Sequence, residues 1–237
     1  MQKELSIIVP VYNEADNIEA MLNDLQQKIK RTTFELIIVY DFDQDNTIPV
    51  INSIKHSYTF EIKVFKNIYG HGVLNALKTG FTLYSADTLV VMMSDRSDDA
   101  SVVDRMYDLV KEGYALVCGS RYMKGGKHTG GGLIKGLLSR FAGLSLYYLS
   151  KVPVHDITNN FKMYTRVLLD KIKIESNGGF EIGTELTIKT YLMGFKIAEV
   201  PDIWIERRKK GQSRFKMFKW MPGYIKWYFY ALSRRIK

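Results

Sequence analysis

Three carboxylates, Asp95, Asp98 and Asp99, stand directly after an apolar run, Thr-Leu-Val-Val-Met-Met at residues 88–93. Clustered acids repel one another unless a cation or a basic partner neutralises them. The usual neutraliser at an all-oxygen site is Mg²⁺ or Mn²⁺, often carrying a substrate's phosphates. The apolar run reads as a strand buried on both faces, and the carboxyl end of such a strand is where open α/β sheets bind ligands. The competing reading is a solvated loop in which Asp98 or Asp99 caps the next helix.

Other strand ends carry groups of matching chemistry. Pro10, Tyr12 and Glu14 follow the first apolar run and could frame a base and ribose, Tyr12 by its stacking face and Glu14 by accepting from hydroxyls. A plain turn with Asn13 or Asp16 as helix cap is the alternative there. Gly70 and Gly72 permit close backbone approach and open a helix whose amides favour an anion, or else form a simple turn. His71 between them has no second histidine or cysteine nearby and is not read as a metal ligand. Arg121, after Gly119-Ser120, could hold a diphosphate or an acceptor phosphate by bidentate hydrogen bonds, or could form a salt bridge. Arg96 could pair with one of the acids or touch a phosphate.

The elements that must position these groups alternate. Strands are predicted over 4–10, 34–40, 60–66, 87–93 and 114–119, and helices over 15–30, 47–56, 72–84 and 101–112. That order implies a doubly wound, mostly parallel sheet flanked by helices. Residues 124–136 are glycine-rich and are predicted to be a mobile loop. Beyond them come a helix over 137–150, an extended segment over 161–165, a helix over 181–193 and a strand over 196–201. Trp220, Tyr224, Trp227, Tyr228 and Ala231 then recur at helical spacing, with Pro222 suited to a helix start.

The chain has 237 residues, 46% of them hydrophobic and 25% charged, which implies a folded core rather than disorder. The single cysteine, Cys118, excludes an internal disulfide and reads as a buried small side chain. No apolar stretch reaches the ~18–20 residues of a spanning helix. The opening Met-Gln-Lys-Glu-Leu leads straight into a strand, which predicts no signal peptide. Of the net charge of +9, the segment 206–237 carries 11 Lys/Arg against one acid, so the body is near neutral and the tail strongly basic. Such asymmetry points to an anionic partner: phosphates, a lipid surface or nucleic acid.

Taken in order, the strand ends Val9-Pro10-Val11-Tyr12-Asn13-Glu14, Asp41-Phe42-Asp43, Gly70-His71-Gly72, the acid cluster and Gly119-Ser120-Arg121 resemble the family 2 glycosyltransferases of the GT-A fold. Within them the chain looks most like the polyprenyl-phosphate (dolichol-phosphate) mannosyl- and glucosyltransferase group, over residues 4–216. The resemblance implies that Asp41 contacts base or ribose, and that Asp95 and Asp98, with Asp99 third, bind Mg²⁺ or Mn²⁺. The family's Asp-x-Asp spacing would instead place the second acid at Met93 or Ser97, and Tyr40 and Phe42 depart from its paired acids. The stretch His155–Tyr164 resembles a family motif in which Asp156 and Lys162 could face the acceptor or form a structural pairing, and Phe180–Leu186 matches a helix start bearing Glu185, which either supports the site or lies on the helix face. Arg208, Ser213 and Arg214 fit the family's Arg-x-x-Gly-x-Ser-(Lys/Arg) pattern, a basic loop able to close on a pyrophosphate.

The implied enzyme spans 1–214, followed by a basic amphipathic segment, 215–237. It transfers a sugar, with inversion, from a nucleotide diphosphate sugar to a polyprenyl phosphate at the cytoplasmic membrane face, as a peripheral protein. An anionic acceptor needs no general base; a sugar-hydroxyl acceptor would need one, from Asp156, Glu181 or Glu185. The tail suits an in-plane helix at a lipid surface, or packing on the catalytic domain or on a second subunit. Two rival classes are a nucleic-acid module, which leaves the acids without a purpose and is not adopted, and a non-catalytic membrane scaffold.

Overall fold

The structure is a computed structural model in which residues 3–207 and 217–234 are described. Its strands are β1 (Leu5–Val11), β2 (Phe34–Tyr40), β3 (Glu61–Lys66), β4 (Thr88–Val91), β5 (Leu116–Ser120), β6 (Lys127–Thr129), β7 (Lys162–Thr165), β8 (Ile197–Pro201) and β9 (Ile203–Ile205). The α-helices are α1 (Ala15–Lys28), α2 (Thr47–Ile54), α3 (Val73–Leu83), α4 (Val103–Lys111), α5 (Leu133–Leu149), α6 (Arg166–Leu169), α7 (Ile182–Leu192) and α8 (Met217–Ser233). Seven strands form one sheet in the order β3-β2-β1-β4-β7-β5-β8. All neighbours are parallel except β7, which runs antiparallel between β4 and β5.

The central strands are apolar on both faces because helices cover both. Leu5, Ile7 and Val9 of β1 point into a core shared with Ile18 and Leu22 of α1 and Met106 of α4. Ile8 of the same strand points the other way, into a core with Leu77 of α3, Leu186 of α7 and Trp227 of α8. This two-sided burial is what an unbroken apolar run encodes. At the amino end of the strands, buried Glu35 accepts from Ser6 Oγ at 2.5 Å and from Lys63 Nζ at 2.7 Å. These donors hold its carboxyl down, to about 2, against the opposing effect of burial. That end is a structural plug. The candidate functional groups lie at the other end.

The reversal of β7 matters for the site. An antiparallel strand enters the sheet where its neighbours leave it. Residues 156–160, just before β7, therefore lie on the same rim as the carboxyl ends of β4 and β5.

Three expectations need correction. The glycine-rich stretch 124–136 is not simply a mobile loop: β6 within it pairs in parallel with β9, His128 opposite Trp204. Gly126 makes the entry possible, since a Cβ there would sit 2.3 Å from the Ser120 carbonyl oxygen. Helix α5 begins at Leu133, inside that same stretch. Pro222 lies inside α8 rather than at its start, the aromatic face being continued upstream by Trp220. Helix α8 packs on α5 and α7: Trp227 is buried and its indole N–H donates to Ser176 Oγ at 3.1 Å, and the Tyr228 hydroxyl donates to Ser145 Oγ at 3.0 Å.

Candidate functional site

A cavity of about 930 Å³ opens over the carboxyl rim of the sheet, roofed by α5 and α8. Pro10, Tyr12, Glu14, Asp41 and Gly72 line one corner. Asp41 is fixed at both oxygens: Oδ1 accepts from Asn67 Nδ2 at 2.9 Å and Oδ2 from the Gly72 amide at 2.8 Å. Gly72 has φ +107°, a region that strains any side chain, so the loop can deliver its amide only as glycine. Gly70, also at positive φ, lies outside the cavity wall and serves the turn. Half-exposed Tyr12 meets the Phe42 ring edge-on at 5.1 Å. The corner thus offers an aromatic face beside a fixed carboxylate.

Asp95 and Asp98 line the next stretch of wall, and Asp99 does not. The Asp99 carboxylate accepts from the Ser101 amide at 3.1 Å and hydroxyl at 2.8 Å and faces Lys28 Nζ at 3.3 Å. In place of the expected metal role Asp99 has a capping one, because its carboxylate turns to Ser101 and Lys28 and not to the cavity wall. Arg96 likewise turns from the cluster to Asp24, 2.7 Å away. Asp98 points inward, where Asn159 Nδ2 donates to its Oδ1 at 3.3 Å. Asp202, on the β8–β9 connection and absent from the residues singled out in the sequence, is fully buried beside it. Asp202 Oδ1 accepts from the Asp99 amide at 3.0 Å. Among the described residues, no three His, Cys, Asp or Glu side chains form a ready-made metal cage. Asp95 and Asp98 nevertheless fit the mode in which one or two carboxylates share Mg²⁺ with water and a ligand's phosphates.

Burial, then the charges of Asp202 and Asp95, hold the Asp98 carboxyl well above the usual carboxylate range. Burial pushes Asp202 up from 3.8 to about 6. An acid raised on folding contributes stability below its unfolded value and loses that contribution as pH rises through its folded value. In chelator, the melting temperature is therefore expected to fall between pH 5 and pH 8, by on the order of 2 kcal/mol of stability. The D202N variant should flatten that slope. Glu35 works oppositely, and only below about pH 4.5, so it does not mask the effect.

Arg121 also lines the cavity, close enough for its charge to act on Asp98. Its Nε donates to Asp156 Oδ2 at 2.6 Å and its Nη2 to Asp156 Oδ1 at 2.8 Å; Nη2 also reaches Ser139 Oγ and Thr158 Oγ1, each at 3.1 Å. Asp156 is fully buried, so it sits behind Arg121 and aims it rather than facing an acceptor. Burial alone would weaken both charges. The Arg121 guanidinium beside it nonetheless keeps the Asp156 carboxyl below its ordinary value, and the Asp156 charge keeps the guanidinium above its own. Lys135 and Ser139 of α5 complete this side of the wall.

Three further expectations are placed elsewhere. Lys162 is fully buried and donates to the Ile157 and Asn159 carbonyls, fastening the segment before β7. Burial pulls its pKa down. Glu185 accepts from the Glu175 and Ser176 amides at 2.6 and 2.7 Å and pairs with Lys189. Glu181 accepts from the Gly178 and Gly179 amides at 2.8 and 2.6 Å. Neither lines the cavity. Arg208, Ser213 and Arg214 lie outside the described residues. The segment leading to them reaches the acid corner, since Arg207 Nε donates to the Arg96 carbonyl at 2.8 Å. An aromatic wall of Phe180, Trp204, Trp220 and Tyr224 was not foreseen as part of the site.

The chain is 26% identical over 231 residues to the dolichol-phosphate mannosyltransferase of Pyrococcus furiosus, covering 94% of this chain and 64% of that protein. It thus spans less than two thirds of that relative's length. It is 27% identical over 208 residues to the polyprenol monophosphomannose synthase of Mycolicibacterium smegmatis, covering 85% of this chain and 77% of that one. Among solved structures, it superposes on glucosyl-3-phosphoglycerate synthase from Mycobacterium tuberculosis in complex with Mn²⁺, UDP and glucosyl-3-phosphoglycerate. There the TM-score is 0.68 and the identity 18%, over 98% of this chain and 80% of that one. The same enzyme with phosphoglyceric acid gives a TM-score of 0.73 at 18% identity, over 99% and 82%. These neighbours share the fold. The model of glycosyl transferase family 2 matches residues 6–173, most of the chain, and the protein belongs to that family.

Proposed function

We propose that this protein transfers a glycosyl group from a nucleoside diphosphate sugar to a polyprenyl phosphate at the cytoplasmic face of a membrane. One observation carries the reading. A single cavity joins the Tyr12–Asp41 corner and the Asp95–Asp98 wall to Arg121, and it opens beside a helix with an apolar outer face. Tyr12 and Asp41 hold the base and ribose. Mg²⁺ or Mn²⁺ bound by Asp95 and Asp98 would neutralise the donor's diphosphate as leaving group. Arg121, aimed by Asp156, presents fixed positive charge to the acceptor phosphate. Such an acceptor is already an anionic nucleophile, so in-line attack with inversion needs no general base. The engagement of Asp156, Glu181 and Glu185 by internal partners supports a phosphate over a sugar hydroxyl.

The apolar face supports a lipid acceptor. Leu133, Ile134, Leu137, Phe141 and Tyr148 of α5 are all more than half exposed, and Phe229 of adjacent α8 is 62% exposed. Exposed Arg140, Lys219, Lys226 and Arg234 accompany them. Among the described residues no helix is long and apolar enough to cross a membrane. Apolar side chains flanked by cations describe a helix lying in the headgroup plane.

Two measurements test the reading. A panel of UDP- and GDP-sugars with Mn²⁺ should stabilise the protein by about 2.7 kcal/mol at 100 times the dissociation constant. A panel without any shift refutes the donor assignment. The double variant L137E/F141E is expected to lose at least about tenfold in binding to anionic phospholipid vesicles, two buried apolar side chains being worth more than that. Its nucleotide-dependent shift should be unchanged.

A further inference from the structure

The loop from Asp95 to Asp99 is held in a costly shape. Arg96 sits at φ +58°, a left-handed conformation that is uncommon outside glycine. Such a turn persists only where its surroundings fix it. Here the fixing comes from the β8–β9 region. The Ile205 amide donates to the Ser97 carbonyl at 2.9 Å, Arg207 Nε donates to the Arg96 carbonyl, and Asp202 Oδ1 accepts from the Asp99 amide at 3.0 Å. Asp202 itself is fully buried, so its carboxylate has no water to replace a lost partner, and the contact it makes with the half-buried Asp99 is partly buried. Asp202 also backs the wall itself. Asn159 Nδ2 lies 3.3 Å from Asp98 Oδ1 and 3.4 Å from Asp202 Oδ2, so one amide bridges the two acids. Behind it, Asn159 Nδ2 is 3.2 Å from the Gly119 carbonyl, which ties the bridge to the end of β5.

We infer that Asp202 is a positioning residue: by accepting the Asp99 N–H and backing Asp98, it sets the spacing of the acids that face the donor. What the position requires is an oxygen acceptor in that place, not a negative charge. Asparagine would supply the same Oδ1 to the Asp99 amide and turn an N–H toward Asp98, giving up only the long 3.4 Å contact from Asn159 Nδ2, which keeps Asp98 Oδ1 and the Gly119 carbonyl as acceptors. Alanine would supply neither. The functional consequence rests on the proposed donor site; the structural role does not.

The experiment compares D202A and D202N with the parent chain in two ways. The first is hydrogen exchange of the Asp99 amide in the ligand-free protein. The second is UDP affinity in the presence of Mn²⁺, with GDP in a parallel arm. D202A is expected to speed exchange by at least about tenfold, the loss of one partly buried hydrogen bond, and to weaken nucleotide binding by a similar factor. D202N should stay within about threefold of the parent in both, a conservative swap that keeps the bond. If D202N is as impaired as D202A, the carboxylate acts through its charge and the inference falls. If D202A leaves the exchange rate unchanged, the clamp does not exist and the inference falls equally. D202N matches aspartate in shape, so it decides the question even where D202A does not fold. A parent chain that binds neither nucleotide would refute the proposed donor, while the exchange arm would still judge Asp202.

Discussion

Asp95→Ala is expected to lower glycosyl transfer by about a thousandfold or more, the loss of about 4 kcal/mol of transition-state stabilisation. The melting temperature should barely change. Asp95 stands on the cavity wall just past β4, with one oxygen oriented by the Ser97 amide at 3.1 Å. Its charge also raises the Asp98 carboxyl, so removing it relieves repulsion in the folded state. Asp99→Ala is the informative control. That carboxylate caps the Ser101 turn and faces Lys28, so its loss should cost about 1 kcal/mol of stability and leave transfer largely intact. The assay follows labelled sugar from whichever donor the panel identifies into polyprenyl phosphate, across a Mn²⁺ titration. Equal losses in the two variants would move the cation site toward the cap.

The contrast between these neighbouring acids shows where sequence reading runs out. Strands such as Phe34–Tyr40 were legible because burial on both faces leaves an unbroken apolar run. Their carboxyl ends then marked Tyr12, Asp41, Asp95 and Arg121 as rim residues, and all four line the cavity. The direction of β7 was not legible, since the pattern of a buried strand is the same in either sense. Three-residue β6 and β9 are too short for periodicity, and they meet across a long stretch of chain. Side-chain roles failed for a different reason. Charged residues are by default exposed. The sequence leaves Asp156 and Lys162 open between an acceptor-facing and a structural pairing role, and Glu185 between support of the site and a helix face; each is fully buried with partners that no local pattern specifies. Asp202 could have been found, because it follows Pro201 at the end of a parallel strand, where the rule that marked Asp95 applies equally.

Asp156→Ala is the second large effect, and it is expected in stability before activity. The Arg121 side chain is only 12% exposed, and its guanidinium is fully engaged on one edge by Asp156. Removing the carboxylate leaves a buried cation with only Ser139 and Thr158 as neutral acceptors. Breaking one side of such a pair costs about 3–5 kcal/mol, whereas replacing both partners by apolar groups can be close to neutral. In a chain of this size that loss lowers the melting temperature by on the order of 10 °C. The double variant R121M/D156L should recover much of it. Transfer should not recover, because the fixed charge that the proposed mechanism assigns to the acceptor phosphate is gone. R121K tests the geometry: lysine keeps the charge but cannot form the two-pronged contact, so transfer should fall by about a hundredfold with a smaller loss of stability. If R121M/D156L is both stable and active, Arg121 serves only to fill the interior, and the acceptor phosphate must be held by other cations.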